Sequence, residues 1–586
     1  RELPIKADRG EIVDRNGVVL ASNITTVSLV VVPGQIDDAE AVAQDLSRIL
    51  KSDYKDMLRH VTKSTSIERV HPEGRQLSYD IAEEINKLGY DGVYLLKESK
   101  RYYPYETVLS HALGYVGIDN QGLSGIELYY DDYLTGADGA IKYFSDGKGN
   151  KLELTEVYEA PTSGITVGLT IDINLQLAIE NELDNVMAKY SPEQGLILAM
   201  NPKTGEILGM ASRPNFNSNS YQNYETEVIN RNLPIWMTYE PGSTFKIITL
   251  SAALEEKTIN LFKDTFHDSG AINVDGATIH CWKHGGHGSQ TMLQVVENSC
   301  NPGFVSIGQT LGTEKLMSYI DKYGFGDKTG IDLNGESEGI LFKPEAMGPV
   351  ELATTSFGQG ISVTPIQQIR AVSAAINGGT LYTPYIVGTF LESETNSIIK
   401  KIEPEPVRQV ISAETSSLVR YALESVVANG SGKNAYIENY RVGGKTGTAQ
   451  KVKDGKYLDG NYILSFMGFM PANDPEIVVY VAIDNPKGVT QFGGVVSAPI
   501  AKNVLTSAIE ILGIKESTEG MAREYTWLDT KYTILPDVQG MTKKEATDAL
   551  KSFKIEYSGT GDNVIYQSPQ AGYYVAEGET VKLLLG

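Results

Sequence analysis

The chain has 586 residues, with 51 Lys and Arg against 74 Asp and Glu, a net charge of −23. That length predicts three or four domains and enough surface to bury a large core. The acidic balance argues against a nucleic-acid partner and against adhesion of the folded body to an anionic surface. Plentiful Gly, Tyr and Asn suit a loop-rich protein outside the cytoplasm. The reading expects no apolar run near the ~18 residues of a membrane helix. Arg1 opens the chain without an initiator methionine, which suggests trimming.

Residues 1–160 mix short strands with charged helices. Arg9 to Ala21 reads as strand, Asn16-Gly17 turn, strand. Arg101-Tyr102-Tyr103-Pro104, His111-x-x-Gly114, Gly122-x-x-Gly125-Ile126-Glu127 and Gly136-x-x-Gly139 follow. Glycines and tyrosines at these spacings shape a scaffold. His111 and Glu127 could form a dyad, but no nucleophile accompanies them.

From 161 to 515 the texture changes. Helix Leu175–Tyr190 is followed by a hairpin whose tip is Asn201-Pro202-Lys203-Thr204-Gly205. Tyr239-Glu240-Pro241-Gly242-Ser243-Thr244-Phe245-Lys246 then leads into a run apolar on nearly every side. Ser243 therefore sits at the mouth of a buried helix, with Lys246 one turn on along the same face. A serine becomes a nucleophile when a base takes its proton, and an ammonium becomes a base when burial or a neighbouring cation lowers its pKa. Ser-x-x-Lys also occurs at Ser52/Lys55, Ser145/Lys148 and Ser397/Lys400, none opening an apolar helix. Ser-x-Asn occurs once, as Ser299-Cys300-Asn301. Lys-Thr-Gly occurs at Lys203, Lys328 and Lys445, the first two in turns. Only Lys445 sits in Gly443-Gly444-Lys445-Thr446-Gly447-Thr448-Ala449, where small residues let backbone approach a ligand. The order Ser243, Ser299, Lys445 is the specific signal. Strands at Ile463–Pro471 and Ile477–Ile483, beside the Lys445 strand, predict an antiparallel sheet flanked by helices.

Residues 516–531 read as a charged linker. Residues 532–586 form a small unit with a capping box at Thr542/Glu545, a stripe of Ala546, Leu550 and Phe553, and strands at Ile565-Tyr566 and Val581-x-Leu583.

These motifs resemble those of a class B penicillin-binding protein, and the likeness runs nearly end to end. The Arg9–Ala21 segment resembles the family's juxtamembrane motif and the Arg101–Gly139 series its N-terminal pedestal. The three active-site motifs, with Phe357-Gly358-Gln359-Gly360 and Thr364-Pro365, resemble its transpeptidase domain. Leu535-Pro536-Asp537-Val538 and Ser568-Pro569-x-Ala571-Gly572 resemble a PASTA domain. The lone PASTA unit and the His280–Gly288 stretch are most similar to the sporulation-specific type. The resemblance implies a multidomain α+β fold and a serine D,D-transpeptidase acting on peptidoglycan stem peptides and inhibited by β-lactams. Ser243 would be acylated with Lys246 as base, Ser299 would relay a proton to the leaving D-alanine, and Asn301 would hold the donor amide. Lys445 would keep Lys246 neutral by like charge. It lines the substrate strand with Thr446, Gly447 and Thr448, whose two threonines would bind the terminal carboxylate. Backbone N–H groups of Ser243 and Thr448 would make the oxyanion hole. No carboxylate is evident to activate a deacylating water, so a bound β-lactam should stay bound. The family is anchored in the cell membrane by one N-terminal helix, missing from this sequence, with the body outside the cytoplasm and a membrane glycosyltransferase as partner. A vegetative septal enzyme, a D-alanyl carboxypeptidase and a non-catalytic β-lactam sensor are the alternatives.

Cys281 and Cys300 are the only cysteines. A disulfide, two free buried thiols, or a zinc site drawing on the nearby histidines are the competing uses. Some elongation-type relatives carry zinc ligands matching Asp268, Cys281, His287 and Cys300. The short interval from Asp268 to Cys281 makes His267, His280 and above all His284 substitutes for Asp268.

Overall fold

The computed structural model describes residues 2–142, 157–523, 532–572 and 574–586. Ser145, Lys148 and residues 524–531 of the expected linker lie outside them.

The opening segment folds as read. Strand β1 (Ile12–Val13) turns back through Asn16-Gly17 into β2 (Val19–Val31), with Ile12 opposite Ala21. Gly17 has φ +85°, a left-handed position that glycine takes without steric cost. The Asp14 carboxylate accepts from the Asn16 and Val18 amides at 2.8 and 2.9 Å and ties the turn. Strand β3 (Val93–Tyr102) runs antiparallel to β2 from Ser22/Tyr102 to Val31/Val93. Glu127 is fully buried between the Arg9 and Arg101 guanidiniums, at 2.8 and 2.6 Å. His111 faces another way, with Nε2 2.7 Å from the Val228 carbonyl oxygen, and burial pushes its pKa down to about 4. The two residues have separate partners and form no dyad, so the scaffold reading holds for both.

Strand β4 (Thr166–Leu169) leads into helix α1 (Ile173–Tyr190), capped by the Asp172 carboxylate. Strands β5 (Gln194–Met200) and β6 (Ile207–Arg213) make the hairpin around Lys203. Further along come α2 (Lys246–Glu255), α3 (Met292–Glu297), α4 (Asn301–Leu311) and α5 (Pro365–Ile376). Strand β7 (Val387–Leu391) precedes β8 (Gly443–Lys453), β9 (Lys456–Met470), β10 (Ile477–Asp484) and helix α6 (Gly493–Leu512). The central sheet is antiparallel throughout, in the order β6-β5-β10-β9-β8. Strands β5 and β10 and the second half of β9 are apolar on both faces because both faces are covered. Leu196, Leu198, Val478 and Tyr480 join the core that holds α2 and α5, while Ile197, Ala199, Val479 and Val481 join the core that holds α1 and α6. The period-2 alternation of a strand thus feeds two helical layers.

Helix α6 corrects the expectation that no run is long and apolar enough to cross a membrane. Its 20 residues pass on length and hydropathy. Val496, Ala501, Val504 and Leu505 nevertheless pack against the sheet, as a core helix does.

A second sheet joins the N-terminal strands β1 and β2 to the body built on the central sheet. In it β4 lies between β1, parallel, and β7, antiparallel. The C-terminal unit has its own core of Leu535, Val538, Ala546, Leu550, Val564, Val581 and Leu583. Its helix α7 (Lys543–Ala549) carries the predicted reciprocal capping box of Thr542 and Glu545.

Candidate active site

The nucleophile turn is tighter than an α-helix. Gly242–Phe245 form a 3-10 turn that runs into α2, with the Lys246 amide bonded to the Ser243 carbonyl. Residues i and i+3 eclipse in such a turn, which sets Lys246 directly above Ser243. Ser243 is half-buried, whereas Lys246 to Leu254 are all buried. Gly242 has φ +63° and donates to the Gly358 carbonyl at 3.0 Å. A Cβ on Gly358, itself at φ +84°, would lie 2.0 Å from the Gly242 oxygen. Phe357-Gly358-Gln359-Gly360 is therefore the bed on which the turn rests. Glu240 fastens the same bed, accepting from the Gly360 amide at 2.9 Å and from the Tyr457 hydroxyl at 3.2 Å.

Ser299 lies between α3 and α4 at φ +51° and is buried. The Lys246 ammonium donates to the Ser299 carbonyl (2.8 Å), the Ser299 hydroxyl (3.0 Å) and Asn301 Oδ1 (2.7 Å). Lys445, fully buried in β8 and paired with Met467 of β9, donates to the same Ser299 hydroxyl at 2.7 Å. One hydroxyl is thus shared by two lysines. Thr446 Oγ1 lies 3.3 Å from the Ser431 hydroxyl, and Thr448 Oγ1 accepts from the Gly493 amide at 3.1 Å. Gly447 stands between them in the same strand. Among the described residues no strand pairs with the outer edge of β8. Lys203 and Lys328 stay exposed in turns, as does Ser397/Lys400 on the surface, and none of these copies joins the cluster of Lys246, Ser299 and Lys445.

Burial pushes Lys246 down from 10.5 to about 7, against the opposite pull of the Cys300 and Cys281 thiols. Lys445 is pushed well below its ordinary value, by burial first and the charge of Lys246 second. The like-charge effect expected at Lys246 therefore falls on Lys445, and desolvation is what lowers Lys246. Two outcomes follow from the sign. A base working through neutral Lys246 should give an acylation rate that climbs with pH up to about 7 and then levels. The unfolded chain binds more protons than the native one between about 7 and 10.5, so this group's contribution to stability rises with pH across that window. A stopped-flow pH series checks the first, and a flat profile across the window below neutrality would count against Lys246 as the base.

Behind Ser299 lies a second cluster. Asp268, Cys281, His287 and Cys300 offer ligand atoms all within 4.8 Å of one another. His287 Nδ1 is 2.8 Å from Asp268 Oδ2 and 3.3 Å from Cys281 Sγ, and Cys300 Sγ is 3.4 Å from the same Asp268 oxygen. Bonds of roughly 2.0–2.3 Å to a tetrahedral zinc would put ligand atoms about 3.5 Å apart, so the set fits that ion. Both cysteines are unbonded. Burial alone would raise Asp268, but hydrogen bonds from Cys281, His287 and backbone amides hold it well below the carboxylate range. The doubt over Asp268 is thereby corrected: Asp268 is buried in the cluster, while His267, His280 and His284 are exposed. The interval is short because Asp268 ends one strand, and Ala271–Val274 and Ala277–His280 form a tight hairpin that returns Cys281 to it.

Ser431, Tyr457 and Gly493 were missed in the sequence. They reach the site from a turn, a strand start and the first residue of α6 with no local signature, and only the fold brings them there.

Three family models match: "Penicillin binding protein transpeptidase domain" at residues 195–506, "Penicillin-binding Protein dimerisation domain" at 4–169 and "PASTA domain" at 533–586. The chain is 53% identical over 586 residues to stage V sporulation protein D of Bacillus subtilis, covering all of this chain and 91% of that protein. It is 31% identical over 513 residues to the peptidoglycan D,D-transpeptidase FtsI of Buchnera aphidicola, covering 86% of this chain and 87% of that one. The crystal structure of penicillin-binding protein 2X from Streptococcus thermophilus shares the fold, with a TM-score of 0.71 at 24% identity, over 100% of this chain and 91% of that one. With its dimerisation, transpeptidase and PASTA domains in that order, and the Ser243, Ser299 and Lys445 motifs gathered in one place, the chain belongs to the class B penicillin-binding proteins.

Proposed function

We propose that the chain is a serine D,D-transpeptidase that cross-links peptidoglycan stem peptides through an acyl-enzyme on Ser243. The observation that carries this is the single Ser299 hydroxyl held by Lys445 and by Lys246, which lies one turn on from the half-buried Ser243. A donor ending in D-alanyl-D-alanine would lie along the open edge of β8, its carboxylate at Thr446 and Thr448. Ser243 Oγ would attack the penultimate carbonyl while its proton passes to Lys246. Amides of Ser243 and Thr448 would hold the oxyanion. The C–N bond would break as Ser299 hands a proton to the leaving D-alanine and is re-protonated from the lysine pair. An acceptor amine would then attack the ester, lose its proton along the same path and free Ser243. Asn301 would orient the donor amide.

Identity of 53% to a protein named for sporulation supports a role in spore cortex synthesis. A membrane anchor and a membrane glycosyltransferase partner would complete that reading. The four-part division at 160, 515 and 531 is the working domain plan. A structural zinc on Asp268, Cys281, His287 and Cys300 would fix the Ser299 loop from behind and take no part in the chemistry. The test is incubation with a pentapeptide donor and an amine-bearing acceptor peptide. Cross-linked dimer is the expected product. Shortened donor alone would make the enzyme a carboxypeptidase, and no turnover with β-lactam still bound would make it a sensor.

A further inference from the structure

Ser299 occupies a left-handed conformation that an L-residue adopts only when its surroundings hold it there. The peptide unit before it is held at both ends. Its N–H, from Ser299, donates to the Val296 carbonyl at 3.1 Å. Its C=O, from Asn298, accepts from the Trp282 indole Nε1–H at 2.8 Å. Trp282 is 53% exposed, yet its polar atom is spent on this one carbonyl. The indole is itself fixed on two sides. Its ring meets His287 edge-to-face at 5.3 Å and Phe492 at 6.5 Å. Phe492 immediately precedes Gly493, whose amide donates to Thr448 Oγ1 on β8.

We propose that Trp282 is a positioning residue for Ser299: by holding the Asn298 carbonyl and leaning on Phe492, it sets the angle at which the Ser299 hydroxyl meets Lys246 and Lys445. The proposal rests on the proton-relay reading of Ser299. Nothing in it requires Trp282 to touch substrate. Removing the indole N–H frees one end of the peptide unit, and the relay hydroxyl loses its aim while the β8 edge and the carboxylate seat stay in place. The loss therefore falls on the chemical step and spares ligand binding.

The test is a double-mutant cycle of Trp282→Phe and Ser299→Ala on the full chain, reading penicillin acylation as separate binding and acylation constants. Trp282→Phe should lower the acylation constant about tenfold with binding changed less than about twofold. In the Ser299→Ala background the same change should add less than about twofold, since the group it aims is gone. Wild-type acylation by Trp282→Phe, or an equal loss in both backgrounds, overturns the proposal, the latter making Trp282 merely structural. Ser299→Ala acylating as fast as wild type overturns instead the relay reading beneath it. Benzothienylalanine at 282 keeps the indole's shape and lacks the N–H. It repeats the measurement should the phenylalanine variant fold poorly.

Discussion

Ser243→Ala should bind penicillin and form no covalent adduct. The substitution deletes the one oxygen that can be acylated at the mouth of α2 and leaves the 3-10 turn's backbone bonds untouched, because those run from the Lys246 amide to main-chain carbonyls. Gly242 stays seated on Gly358, and Lys246 keeps its three acceptors at Ser299 and Asn301. The expected cost in stability is therefore small, ~1 kcal/mol or less, as for removal of a half-buried hydroxyl. Losing the nucleophile of a covalent mechanism costs on the order of 10³-fold or more in rate. Intact-mass measurement after incubation with a β-lactam, with peptide mapping of the wild-type adduct, reads both effects. An adduct mapped to Ser299, or one that persists in Ser243→Ala, would end the mechanism.

Protein purified without chelator should carry one zinc, and stripping it should lower both thermal stability and the acylation rate of Ser243. A ligand bound only to the native state stabilises it by about 4 kcal/mol at a thousand times its dissociation constant. The effect on rate follows from sequence adjacency: Cys300 stands between Ser299 and Asn301, and its sulfur caps α4 by accepting from the Gly303 amide. Oxidation should mimic chelation, because a thiol committed to a disulfide is no longer a thiolate ligand. Elemental analysis paired with labelling rates before and after chelation or oxidation checks this. Metal-free protein with full activity would leave the free-thiol reading standing, and Cys300→Ser with unchanged melting would remove the structural role of that sulfur.

What was legible in the sequence was what short-range physics determines. The Asn16-Gly17 turn, the Thr542/Glu545 capping box, the Lys203 hairpin and the apolar helix after Ser243 all rest on contacts within a few residues. The motifs of Ser243, Ser299 and Lys445 could be picked out because each carries its own chemistry, and the fold brings Lys246, Ser299 and Lys445 together. Helix α6 escaped because it opens on two glycines and contains Pro499, which read locally as loop. Burial was legible as one of two ways to lower Lys246, but its standing over the charge of Lys445 was not, because that balance depends on packing from α4 and β8, far away in sequence. The bed made by Gly358 could not be read either, since what its missing Cβ avoids is the Gly242 oxygen, a hundred residues upstream.

The position of β4 has a consequence for how the protein comes into being. Its two neighbours are β1, already made, and β7, which lies more than two hundred residues further along the chain. As the polypeptide emerges from the N-terminus onward, the pedestal's sheet must wait with one bare edge until that distant strand arrives. Such an edge is a template for any passing extended segment. Pairings of this sequence separation are also slow to form. The nascent chain is therefore most vulnerable to aggregation while residues 170–386 are being released, before residues 387–391 arrive, and a holdase acting on the newborn protein would act there.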